Sequence, residues 1–203
     1  MKCIALSAAL ALAASGASAA TLTTLFASNN GQQGNMFDVI VGASDITVLE
    51  FAINLDAGTT SNVSLWYREG TIVGNANDSS GWTQIETASL TSAGTDAPTA
   101  WDVSDFTLSG GTTYGFLVYS DQINVNYTNG TAVGNIAAAD GFLSIAEGYG
   151  RGNSADPFAS SVFQPRIWNG SIVYEVAAVP LPATGVMLLM AFGGLAAARR
   201  RKG

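Results

Sequence analysis

The sequence predicts an all-β fold: an antiparallel β-sandwich, jelly-roll-like, flanked by an N-terminal signal peptide and a C-terminal transmembrane helix. Three observations carry this. Between Ala20 and Val176, apolar and polar residues alternate with a period of two, and a helical period is nearly absent. Short runs rich in Val, Ile, Thr, Tyr, Phe and Trp are separated by clusters of Gly, Asn, Asp and Ser. Each end of the chain carries an uncharged apolar run, one followed by small residues and one by cations.

The first element is residues 1–19. Met1-Lys2 is a minimal positive start, Ile4 to Ala14 is an apolar run, and Ala17-Ser18-Ala19 is a small-residue cleavage pattern. This order is that of a secretory signal peptide, with cleavage by signal peptidase expected between Ala19 and Ala20. Cys3 leaves with it, so the exported domain, residues 20–176, has no cysteine, no lysine and no histidine. Its cations are Arg68, Arg151 and Arg166, against fifteen carboxylates. A surface this acidic repels nucleic acid and anionic lipid.

The strands follow in order. Expected strands cover Thr21–Ala27 and Met36–Val41. Leu49, Phe51, Ile53 and Leu55 share one face of the next, opposite Glu50 and Asn54. Val63, Leu65 and Tyr67 alternate with Ser64, Trp66 and Arg68. Thr83–Leu90 and Trp101–Leu108 come next. Thr113 to Tyr119 is apolar on both faces and reads as a central strand. Ile123, Val125 and Tyr127 alternate with Asn124, Asn126 and Thr128. Phe142–Glu147, Val162–Trp168 and Ser171–Val176 complete the set. Asn169-Gly170, between two strand-like runs, predicts a two-residue hairpin. The longer loops Gly74–Gly81, Ser92–Pro98 and Glu147–Pro157 are rich in Gly, Asn and Asp. The stretch Trp101–Ser120 resembles late strands of bacterial extracellular sandwiches and carbohydrate-binding jelly rolls, a generic likeness.

The missing side chains bound the chemistry. Without His, Cys or Lys the domain has no Ser-His-Asp triad, Cys-His pair, Schiff base or Cys/His zinc site. An enzyme here would need two carboxylates about 5–10 Å apart, as in glycosidases. Asp102 and Asp105 are neighbours in sequence, but odd spacing on a strand sends them to opposite faces. No enzyme activity is therefore expected. No cofactor is expected either, beyond a structural calcium, for which Asn75, Asn77 and Asp78, and Asn153 with Asp156, supply the oxygen-bearing side chains. Exposed aromatics can stack on sugars. The candidates are Trp66, on an outward face with Ser64 and Arg68, and Tyr149 beside Arg151 in a glycine-rich loop.

The last element is the tail, residues 177–203. Val179-Pro180-Leu181-Pro182-Ala183 opens it after Ala177-Ala178. An uncharged apolar run, residues 183–198, follows and would reach about 24 Å as a helix, near the lower limit for a span. Arg199, Arg200, Arg201 and Lys202 close it and stay on the cytoplasmic side. The tail resembles a VPLPA-CTERM signal, a variant of the PEP-CTERM sorting signals of Gram-negative bacteria. That resemblance implies processing near the motif by a membrane-embedded exosortase and release to the cell surface. Leu181-Pro182-Ala183-Thr184-Gly185 also fits the L-P-x-T-G signal of Gram-positive sortases, whose substrates carry a long linker that is missing here. With so short a linker the domain must sit against the membrane until the tail is cut, and before processing it is anchored in the membrane only through this helix. Two functional readings remain: a non-catalytic exported surface or extracellular-matrix protein, and a glycan-binding module whose partner is extracellular polysaccharide.

Overall fold

A computed structural model describes residues 19–177. The signal segment before Ala19, the motif Val179–Ala183, the apolar run and the basic cluster Arg199–Lys202 lie outside the described residues. In chain order the strands are β1 (Ala19–Thr23), β2 (Asn30–Gln32), β3 (Gly34–Val41), β4 (Ile46–Asn54), β5 (Thr60–Glu69), β6 (Thr83–Thr91) and β7 (Pro98–Leu108). They continue with β8 (Thr113–Ser120), β9 (Val125–Asn129), β10 (Ile136–Ala139), β11 (Leu143–Arg151), β12 (Val162–Trp168) and β13 (Gly170–Val176). The one helical element among the described residues is a 3-10 turn, Pro157–Ala159. No helix among them is long and apolar enough to cross a membrane.

Two antiparallel sheets result. The smaller runs β1-β13-β4-β7 and the larger β2-β9-β12-β11-β3-β8-β5-β6, with β10 added to β11. Their inner faces meet in one core drawn from both sheets, including Phe37, Phe116 and Trp168 from the larger and Phe51 and Trp101 from the smaller. The aromatic rings organise it. Trp168 stacks on Phe37 with centroids 4.3 Å apart and planes 10° from parallel. Phe51 approaches Trp168 edge-on at 5.9 Å and Phe116 at 5.8 Å, joining the sheets.

The alternation on β5 is as the sequence predicts: Val63 and Leu65 are fully buried while Ser64 and Trp66 face the other way. The expected central strand is also central, since β8 lies between β3 and β5 and is buried on both faces. Its outer face is covered by loops. Met36, Leu117, Tyr119 and Tyr149 of the sheet pack there against Ile72, Trp82 and Phe158 of the loops, as a second apolar cluster.

Four expectations are corrected. Leu49 does not share a face with Phe51, Ile53 and Leu55: the register of β4 shifts between Val48 and Glu50 against both neighbours. Ile46 and Val48 therefore face the core in one phase, and Phe51 and Ile53 in the other. Asn169-Gly170 makes no hairpin, because β12 belongs to the larger sheet and β13 to the smaller. The chain crosses between sheets there, and Asn169 is buried with its side chain bonded to Thr128. The strand after Phe142 runs on to Arg151 rather than stopping at Glu147. Thr21–Ala27 is strand only to Thr23, and the short β2 and β10 had no periodic signal.

Gly170 is the condition for that crossing. A Cβ there would lie 2.1 Å from the Trp168 ring, which is itself fully buried. Gly170→Ala is expected to cost about 3 kcal/mol through forced repacking, and Trp168→Ala about 3–5 kcal/mol through the cavity. Urea unfolding midpoints of the exported domain check both, with Ala93→Ser, on an exposed loop, as the neutral reference.

Candidate functional site

Because Val63 and Leu65 point into the core, Asn62, Ser64 and Trp66 line the outer face of β5. Trp66 is half-buried. Its ring meets Phe158 edge-on at 5.6 Å and 87°, and its Nε1 donates to Ser64 Oγ at 3.1 Å. Beside it lies a groove of about 530 Å³. Ser64, Trp66, Gln84 and Thr87 form its floor, and Asn153, Ser154, Ala155 and Pro157 line it from the β11–β12 loop. Asn62, Tyr119 and Asp121 stand at one end.

The loop wall is held by two buried groups. The Tyr119 hydroxyl donates to the Ser154 carbonyl at 2.8 Å and accepts from the Ser154 amide at 2.8 Å. Arg151, with no exposed surface, donates from Nε (3.0 Å) and Nη2 (2.6 Å) to the Pro157 carbonyl and from Nη1 to Asn77 Oδ1 at 2.9 Å. Its desolvation lowers its pKa. Asp121 is differently placed. Desolvation pulls its carboxyl upward, but hydrogen bonds from Asn62 and Ser61 outweigh this and hold it below the usual carboxylate range. The groove therefore presents amides, hydroxyls, an indole and one ionised carboxylate.

Of the other sequence candidates, Asn153 alone lies at the groove, and the rest fall elsewhere. Tyr149 and Arg151 are not in a loop: they lie on β11, and both are buried. Burial raises the Tyr149 pKa, and its ring belongs to the apolar cluster under the loops. Arg68 lies over the Trp82 ring at 6.0 Å and does not line the groove. Three of the calcium candidates, Asn75, Asp78 and Asp156, make local turn or cap bonds. Asn75 Nδ2 donates to the Thr71 and Val73 carbonyls, and Asn77 Oδ1 is taken by Arg151. Asp78 binds the Ser80 amide and hydroxyl, and Asp156 caps the 3-10 turn at the Phe158 amide. Asn153 is exposed at the groove wall. Among the described residues no group of three or more His, Cys, Asp or Glu could hold a metal ion. Ala19 and Ala20, at the expected signal cleavage, lie in β1 opposite Glu175 and Tyr174.

Sequence reasoning missed Gln84, Thr87 and Asp121. The alternation that exposes Trp66 also exposes Asn62, so that residue was within reach. Gln84 and Thr87 were not, because a register shift between Leu65 and Trp66 sets which β6 residues face β5 there.

Residues 178–202 match the family described as PEP-CTERM protein-sorting motif. The chain carries a PEP-CTERM sorting signal. The signal implies an exported protein, transiently anchored in the membrane and processed by an exosortase. No curated protein matches the chain. Among solved structures it is similar to a chain of the T13 IBDV viral particle, at 10% identity and a TM-score of 0.28, covering 83% of this chain and 41% of that one. A chain from the Gt strain of infectious bursal disease virus matches at 11% identity and a TM-score of 0.26, covering 89% of this chain and 47% of that one. The sequence thus spans less than half the length of either viral chain.

Asp38 pins the loop that carries Asn75 to Asp78, accepting from the Ile72 amide at 2.8 Å and from the Thr71 hydroxyl at 2.5 Å. Burial raises its pKa above the ordinary 3.8, against the opposing pull of those two bonds. A carboxyl raised in the folded state contributes stability that is complete below its unfolded pKa and lost as pH rises through the folded one. In Asp38→Asn this loss is absent. The stability of the variant relative to the parent is expected to grow as pH rises from just below 4, read from urea midpoints across pH 3.5–7.

Proposed function

We propose that the exported domain is a non-catalytic component of the cell surface or extracellular matrix that holds polysaccharide in the Trp66 groove. One observation carries the reading: a half-buried indole, braced by Phe158, forms the floor of an open groove with Ser64, Gln84 and Thr87. A sugar ring offers an apolar face to the indole and hydroxyls to the amides and hydroxyls around it. No arginine lines the groove, and its carboxylate is Asp121. Neutral or amino sugars fit this charge, and uronates or phosphorylated sugars do not. A two-carboxylate hydrolysis would need a partner for Asp121, and the lining residues supply none. The PEP-CTERM signal supports the destination, with the domain left at the cell surface or outside once the tail is cut. The reading uses no cofactor.

Affinity electrophoresis through gels containing neutral polysaccharides, with alginate as the uronate contrast, tests this. The parent domain is expected to be retarded by a neutral polymer and not by alginate. Trp66→Ala should weaken binding by about 2 kcal/mol, roughly thirtyfold in Kd. Gln84→Ala, on the exposed floor, should weaken it without touching the Phe158 contact. If neither variant changes retardation, the groove is not the binding site, and a surface component without this ligand remains.

A further inference from the structure

Both ends of the domain leave it at the same place. β1 is antiparallel to β13 with Ala19 opposite Glu175, so the chain enters beside the point where it exits. The exit is fixed: the Ala177 amide donates to the Asp45 carbonyl at 2.9 Å, and the next residue begins the sorting signal. Around it the turns at this end of the sandwich are bonded into one platform. Asp45 Oδ1 accepts from the Gly110 amide at 2.8 Å. The Gly111 amide donates to the Gly42 carbonyl at 2.6 Å, and the Gly42 amide to the Phe142 carbonyl at 2.7 Å. The Tyr174 hydroxyl donates to Asp140 Oδ2 at 2.6 Å, tying the β10–β11 turn to β13. At the tip of that turn Phe142 is 48% exposed, the one aromatic among the large exposed apolar side chains of the described residues.

We propose that this platform is the face the domain lays against the membrane before processing, with Phe142 entering the lipid headgroup layer. The proposal rests on the membrane anchoring that the sorting signal implies, and not on the polysaccharide reading. Ala183, where the apolar run starts, lies six steps along the chain from Ala177, and fully extended that stretch spans at most about 21 Å. The headgroup layer itself takes up about 5–8 Å of that. An eleven-residue strand such as β7 is about 36 Å long, so the opposite end of the sandwich stays clear. The contact follows from the tether rather than from charge: Asp45, Asp140 and Glu175 at this end bring no attraction for anionic lipid. The lining of the Trp66 groove includes Asn62, Tyr119 and Asp121, which lie toward the opposite end, so the groove faces outward while the tail is still attached.

The exported domain has no cysteine of its own, which gives a direct test. In the full chain with Cys3→Ser, a single cysteine is placed at Phe142→Cys or, at the opposite end, at exposed Ala57→Cys. Each is labelled with an environment-sensitive fluorophore, and the chain is inserted into phosphatidylcholine vesicles with nitroxide on a fraction of headgroups. Quenching and a blue shift at 142, with neither at 57, are expected. Equal signals at the two positions, or a signal at 57 alone, overturn the proposal. A chain that does not float with the vesicles overturns the anchoring and the proposal with it. Protection of position 142 only when a second copy or an exosortase is present also overturns it, since the occupant is then protein rather than lipid.

Discussion

The stacking of Trp168 on Phe37 is the contact on which the rest of the structure depends. Both rings belong to the larger sheet, but two residues after Trp168 the chain is already in the smaller one. The indole can lie flat over Phe37 only because Gly170 leaves its own volume to the ring. Thr24 then closes the crossing, its hydroxyl donating to the Trp168 carbonyl at 2.5 Å and accepting from the Gly170 amide at 3.1 Å. Thus the first strand, the last strand and the centre of the core are joined at one point. A sandwich is usually held by distributed burial; here the two sheets are also held by the path of the chain between them.

The groove is a by-product of covering a wide sheet. Eight strands in a row present an outer face that the smaller sheet cannot cover, and the loops β5–β6 and β11–β12 cover it instead. Their cover is centred on β3, β8 and β11 and stops short of β6. Trp66 sits at that margin, one edge under Phe158 and the rest beside open space. Half-burial of an aromatic is what a binding surface needs, since burying the remainder still gains free energy without leaving the free protein with a large apolar patch.

Much of this was legible in the sequence, because the period-two alternation of Val63, Leu65 and Tyr67 and the two-sided apolar run in β8 depend on residues within one strand. The failures share a cause: they depend on what the strand meets. The bulge at Leu49 is set by β7 and β13. Asn169-Gly170 carries the local chemistry of a tight turn, but its geometry is decided by the indole one residue earlier. Tyr149 and Arg151 stand among glycines, which suggest a loop; in the fold Gly148 admits the Met36 carbonyl and Gly150 the Tyr127 ring, so the glycines serve close packing within a strand. The tail was legible for a different reason. A sorting signal is read by other proteins as a sequence, so its information is local.

Arg151 has a consequence for the conditions under which the groove keeps its shape. It joins the two covering loops through a backbone carbonyl of one and a side-chain amide of the other, both neutral. Salt weakens the attraction of exposed opposite charges within a Debye length of roughly 10 Å at 0.1 M, but it acts little on a buried cation among fixed dipoles. The brace behind the groove wall is thus nearly indifferent to ionic strength. A protein exported beyond the cell's own buffering meets whatever salinity surrounds it, and this joint stays closed in dilute and in saline water alike.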